Sequence, residues 1–151
     1  MTITTNLKQL YESDENLWLE ETIELLKHKQ FNQLDIENLI EELISLGKRD
    51  LAKVKSLLRQ IIIHLLLLQF WQVEYEINHR HWIGEIKTFR YDVNNHLTTN
   101  LRNKLEDDLE NIYQSAVDFV ENKTSLTILP EKCPYSLGQL LDDDYLPQVY
   151  S

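Results

Sequence analysis

A chain of 151 residues with three Gly, three Pro and one Cys fits a single domain rich in helix, without an internal disulfide framework. Its 25 acidic against 15 basic residues give a formal charge of −10 and a pI near 4.9, a field that repels nucleic acid and anionic lipid. No nucleic-acid or membrane partner is expected. The amino terminus MTITTNLKQL lacks the basic-then-apolar pattern of a secretory signal, and a lone Cys133 suits a reducing compartment, so a cytoplasmic protein is predicted.

Ser13, followed by Asp14 and Glu15, predicts a helix start, and the first helix is expected to run to about Lys29 with Leu19, Ile23 and Leu26 buried. Leu34 and Leu39 around Asp35 have the spacing of a hydrophobic staple on an Asp cap, which starts a second helix at Ile36. Its apolar set is Ile36, Leu39, Ile40, Leu43, Ile44 and Leu46, taken to face the core, and Gly47 suits the left-handed residue that ends a helix. A third helix from about Asp50 to Tyr75 contains RQIIIHLLLLQFWQ, Arg59 to Gln72, apolar on every side and so enclosed by other elements. That stretch is too short, and too interrupted by polar residues, to span a bilayer. Lys48, Arg49, Lys53, Lys55 and Arg59 are the nearest approach to a basic patch, and Asp50 breaks them into a solvated face.

Glu74 to His81 is polar and predicts a turn, after which Trp82, Ile86, Phe89, Val93 and Leu97 mark a fourth amphipathic helix. A fifth runs from about Thr99, with Leu101, Leu105, Leu109, Ile112, Ala116 and Phe119 on one side, unless it continues the fourth as one bent helix. All three prolines fall in the last 22 residues. Residues 124–151 therefore read as an ordered tail laid on the bundle, with a helical turn at Leu137 to Leu141. The prediction is an all-α single-domain helical bundle of four to five main helices.

His64 is the first candidate for chemistry, since burial among Ile61 to Leu68 favours the neutral imidazole that binds metals or moves protons. The plainer reading, a core histidine bonded to a carbonyl or carboxylate, is preferred. Glu37, Asn38, Glu41 and Glu42 invite comparison with the carboxylate sites of bundles, but no Glu-x-x-His pair accompanies them. By the wheel, Glu37 and Glu42 lie about 110° and Glu41 about 150° from the middle of the apolar face, flanking the core. His79 and His81 share a metal only in an extended or turn conformation, and a solvated loop is the favoured reading. Cys133 has no histidine near it in sequence, and no phosphate loop, nucleophile elbow or zinc-protease motif occurs. Tyr135, Tyr145 and Tyr150, interspersed with Asp142 to Asp144, would dock on the chain's own bundle, a twin subunit or a basic partner, the first being the default.

Five strings carry a resemblance: LDIENLIEEL at Leu34 to Leu43, SLG at Ser45 to Gly47, LLRQIIIHLLLLQFW, WIGEIKTFR at Trp82 to Arg90, and PEKCPYSLGQLLDDDYLP. Their order and spacing resemble the cyanobacteria-rich family called domain of unknown function 29, from Tyr11 to Pro147. The resemblance implies a helical bundle and brings no activity, substrate or cofactor with it. Family-pattern positions fall at Asn38, Leu39, Glu41, Glu42, Gly47, His64, Trp82, Arg90, Cys133 and Pro134, while Gln72 to His81 is less basic than the family pattern.

The leading expectation is a non-enzymatic module for protein interaction or self-association, with no cofactor, and with the aromatic-acidic tail as the first contact surface. The alternative is a metal or small-ligand site in the bundle built on His64 with Glu41 or Glu42, Arg90 nearby, and Asn38 and Trp82 as further site positions.

Overall fold

The computed structural model describes residues 6–149; the leader reading of the first five residues and the role given to Tyr150 lie outside them. Among the described residues there are seven α-helices and no strand: α1 Leu7–Ser13, α2 Glu15–Lys27, α3 Ile36–Phe70, α4 Tyr75–His96, α5 Thr99–Asp107, α6 Leu109–Thr124 and α7 Leu137–Leu141. The fold is all-α. Contacts divide the chain into two compact units, one ending at Arg49 and one beginning at Asp50. No helix among the described residues is long and apolar enough to cross a membrane.

In the N-terminal unit, the predicted first helix corresponds to α2, and a short helix that was not predicted, α1, precedes it. Asp14 separates them and accepts from Leu17 N at 3.1 Å as the cap of α2, while Ser13 bonds back to Gln9 O. The buried residues of α2 are Trp18, Thr22 and Leu25, one position earlier than Leu19, Ile23 and Leu26. Trp18 decides this: its ring meets Tyr11 edge-on at 4.8 Å and its indole N–H reaches Asp35, so the largest side chain takes the interior. Lys29, at φ 56°, supplies the left-handed turn after α2.

The helix predicted to stop at Gly47 does not stop. α3 runs through it for 35 residues, and no glycine takes positive φ. A mid-helix glycine costs only about 1 kcal/mol, too little to break so long an apolar register. Nor does the Asp35 side chain cap α3. Its Oδ2 accepts from Trp18 Nε1 (3.3 Å) and Asn38 Nδ2 (2.7 Å), and its Oδ1 is buried without a partner.

The C-terminal unit carries the dense core. Val54, Leu58, Ile61, Ile62, Leu65 and Leu66 of α3 pack with Trp82, Ile86 and Val93 of α4, Leu105 of α5, and Ile112, Tyr113, Ala116 and Val120 of α6. α3 ends at Phe70, a short 3₁₀ turn at Gln72–Glu74 follows, and α4 begins at Tyr75, so His79 and His81 are helical where a loop was expected. α4 and α5 are separate helices, and the predicted fifth helix is itself broken at Asp108 into α5 and α6. The Asp108 carboxylate takes bonds from Asn111 (2.7 Å) and Lys55 (2.9 Å), which hold it below the usual carboxylate range.

The chain after Thr124 completes this core. Tyr135, Leu137, Leu140 and Leu141 are buried in it, and Ser136 with Gln139 forms a capping box on α7. Tyr135 Oη donates to Gln69 Oε1 at 2.7 Å, and Gln114 Nε2 donates to Glu131 O at 2.8 Å.

Candidate functional site

Arg90 is 1% exposed on α4, and its guanidinium is used entirely on the chain's own backbone. Nε donates to Leu140 O (2.9 Å), one terminal nitrogen to Tyr145 O (2.7 Å) and the other to Gln139 O (3.2 Å), while Asn94 Nδ2 donates to Leu141 O (3.1 Å). Burial lowers its pKa, opposed by the nearby Asp142 and Asp143. These bonds clamp the end of the last helix, where carbonyls lack helical partners. The tail aromatics are absorbed in the same contact: Tyr135 is buried, its ring lies edge-on to Tyr145 at 6.4 Å, and burial pushes its hydroxyl pKa up.

His64 lies half-buried on α3, its Nδ1 at 2.7 Å from Gln60 O. That carbonyl can only accept, so Nδ1 carries the proton and Nε2 keeps the lone pair. Burial lowers its pKa, with the Gln60 carbonyl and Glu85 pulling the other way. His64 lines a cavity of about 480 Å³ together with Trp71, Glu74, Asn78, Trp82 and Lys123. Trp82, 5% exposed, stacks on Trp71 with centroids 6.0 Å apart, and the Lys123 ammonium sits 6.0 Å from the Trp71 centroid. Glu74 is the carboxylate that lines this cavity, and Glu85 lies 3.9 Å from His81, another lining residue.

Glu41, Glu42 and Asn38 belong to the N-terminal unit, and their partners are local. Glu42 is 8% exposed, accepting from Tyr11 Oη (3.0 Å) and pairing with Arg49 (3.3 Å). The bond to Glu42 pushes the Tyr11 hydroxyl up to about 12. Asn38 is committed to Asp35, and Glu41 is exposed. Among the described residues, no group of three or more His, Cys, Asp and Glu is placed to hold a metal ion. Cys133 is half-buried with its thiol donating to Tyr135 O, and burial raises its pKa to about 11, far from a reactive thiolate.

The N-terminal part of α3 is rotated about a third of a turn from the expectation. Asp35 and Glu42 are buried, while Ile36, Ile40, Leu43, Ile44 and Leu46 are 43 to 59% exposed. Taking about 100° per residue, Ile36, Ile40, Leu43 and Gly47 share one narrow stripe, with Ile44 and Leu46 about 80° to either side. The stripe was legible in the sequence; its direction was not.

A model of the family described as Domain of unknown function DUF29 matches residues 10–146. The chain belongs to this family. Searches of curated proteins and of solved structures find no match. Membership in DUF29 assigns no chemistry to the cavity or to the stripe.

Proposed function

We propose that this DUF29 chain is a protein-interaction module whose contact surface is the apolar face of α3 between Ile36 and Leu46, in place of the C-terminal tail. One observation supports the reading: on that segment the aliphatic side chains are exposed while Asp35 and Glu42, about a third of a turn away, are buried, an arrangement that costs free energy in water unless a partner covers the apolar stripe. Aliphatic residues at such spacings, here Ile36, Ile40 and Leu43 flanked by Ile44 and Leu46, are the usual anchors of a helix-in-groove or helix-pair contact. A photo-crosslinking residue at Leu43, tested in the cells that make the protein, is expected to give a discrete protein adduct. The same residue at Tyr91, 68% exposed on α4, is expected to give none. Equal labelling at both positions, or none at Leu43, overturns the reading.

The cavity at His64 favours a second reading, a small-ligand site. Its support is a neutral imidazole of fixed tautomer beside two stacked indoles and the Lys123 ammonium. Native mass spectrometry of untagged protein tests it: a retained species lost in His64→Leu supports the site, and a bare chain counts against it.

A further inference from the structure

The partner that the exposed face of α3 fits best is a second copy of the same face, and this rests on the interaction reading above. We infer that two chains pair antiparallel along Ile36 to Arg49, about a two-fold axis between Ile40 and Leu43.

The stripe Ile36, Ile40, Leu43, Gly47 alternates spacings of four, three and four, the seam of a two-helix coiled coil. In a two-fold pair each contact occurs twice, residue i meeting j and j meeting i. With the axis between Ile40 and Leu43, Ile40 of one copy meets Leu43 of the other, and Ile36 meets Gly47. A large side chain then falls opposite the one position in the stripe that has none, and the Cβ site of Gly47 has no neighbour within 4 Å inside its own chain. Gly47 becomes a receptor for Ile36 of the second copy, a role that explains a helix-weakening residue at mid-helix.

Charge selects the direction. Glu37 and Lys48 lie on the same edge of the stripe, about 100° and 120° from Ile36. Both are exposed. In an antiparallel pair like edges face each other, so Glu37 of one copy comes alongside Lys48 of the other, twice. In a parallel pair this edge would face the opposite edge, which carries Leu39 and Leu46, and the charges would gain nothing. Among the described residues Glu37 pairs with Lys8 at 3.8 Å, both side chains mostly exposed, a contact too loose to compete.

The test uses the full chain carrying Cys133→Ser, with Ile36→Cys and Gly47→Cys prepared as separate proteins. Mixed under mild oxidation, they are expected to form a disulfide species at twice the 18.0 kDa chain mass containing one of each. Ile36→Cys alone, its two copies about 16 Å apart along the pair by the helical rise, should stay uncrosslinked. Self-crosslinking of Ile36→Cys would mean a parallel pair and overturn the inference while leaving the interaction reading intact. A full chain that stays monomeric by light scattering and forms no mixed disulfide overturns it too; a Leu43 photo-adduct to a different protein would then keep the interaction reading, and no adduct would sink both. Glu37→Lys and Lys48→Glu, surface changes that spare the fold, should each weaken the dimer about tenfold, and the double variant should regain it. Failure of the double variant to recover refutes the charge pairing.

Discussion

The two units solve the problem of burying apolar surface in opposite ways. From Asp50 onward, 24 buried apolar residues form one cluster. Up to Arg49 the buried apolar residues are Leu10, Trp18 and Leu25, accompanied by Thr22, Asp35 and Glu42, while nine of the sixteen exposed large hydrophobic residues of the described chain lie there. So few enclosed side chains cannot offset the conformational entropy of ordering some forty residues. The difference teaches that the N-terminal unit is organised by polar contacts inside, Tyr11 with Glu42 and Trp18 with Asp35, and presents its apolar surface outward.

The largest effect that would separate the units lies at Arg90. Replacing it with Met leaves the carbonyls of Gln139, Leu140 and Tyr145, one buried and two part-buried, without their charged donor. Arg90→Met should lower unfolding stability by about 4 kcal/mol, with the tail from Glu131 onward losing hydrogen-exchange protection first. Unchanged protection there would mean that apolar packing alone holds the tail.

A sharper comparison makes one substitution at two places on one helix. Leu58, fully buried on the C-terminal part of α3, should cost about 3 kcal/mol as Leu58→Ala in urea unfolding. Leu43, 59% exposed on the N-terminal part, should change stability by less than about 0.5 kcal/mol as Leu43→Ala when the protein is dilute enough to be monomeric. A large loss at Leu43 under those conditions would place it in an internal core and remove the contrast.

Gly47 carries a smaller effect of the opposite sign. It sits inside α3 with ordinary helical backbone and no neighbour within 4 Å of its Cβ position, so Gly47→Ala should stabilise the dilute monomer by about 1 kcal/mol. The helix end that the sequence predicted would have required a left-handed backbone, and alanine would then destabilise.

The fold class was readable because a chain with prolines confined to its end and a repeating three-four spacing has few alternatives to helix. The core of the C-terminal unit was readable for the same reason: Trp82, Ile86, Val93, Leu101, Leu105, Ile112 and Ala116 were placed on apolar faces by periodicity, and they are inside. Periodicity fails on the N-terminal part of α3 because it states which residues share a face and not where that face points. Asp35 and Glu42 enter the interior through partners 17 and 31 residues away in sequence, which no local pattern encodes. The helical start at Tyr75 was hidden by polar composition. In the structure, His79 stacks on Tyr75 at 4.6 Å, a pairing across one helical turn that the loop reading passed over. Arg90 was singled out by family pattern alone, and its work, some fifty residues away at the tail, becomes visible only when α4 and α7 are brought together.

The smallest effect tests whether acid sensitivity belongs to one unit. His64, in the C-terminal unit, has its pKa lowered by burial, so its folded value lies below its unfolded one. As pH falls through the ordinary histidine range the unfolded chain takes up the proton first, and the folded state loses stability; above that range the contribution is fully present. Melting temperatures at pH 7.5 and 5.5 should therefore drop more for the wild type than for His64→Gln, which cannot titrate. The groups around the imidazole fix the sign: Glu85 favours the charged form, while His81, Lys123 and burial oppose it, with burial the largest. Equal drops in the two proteins would mean that His64 does not carry the acid response.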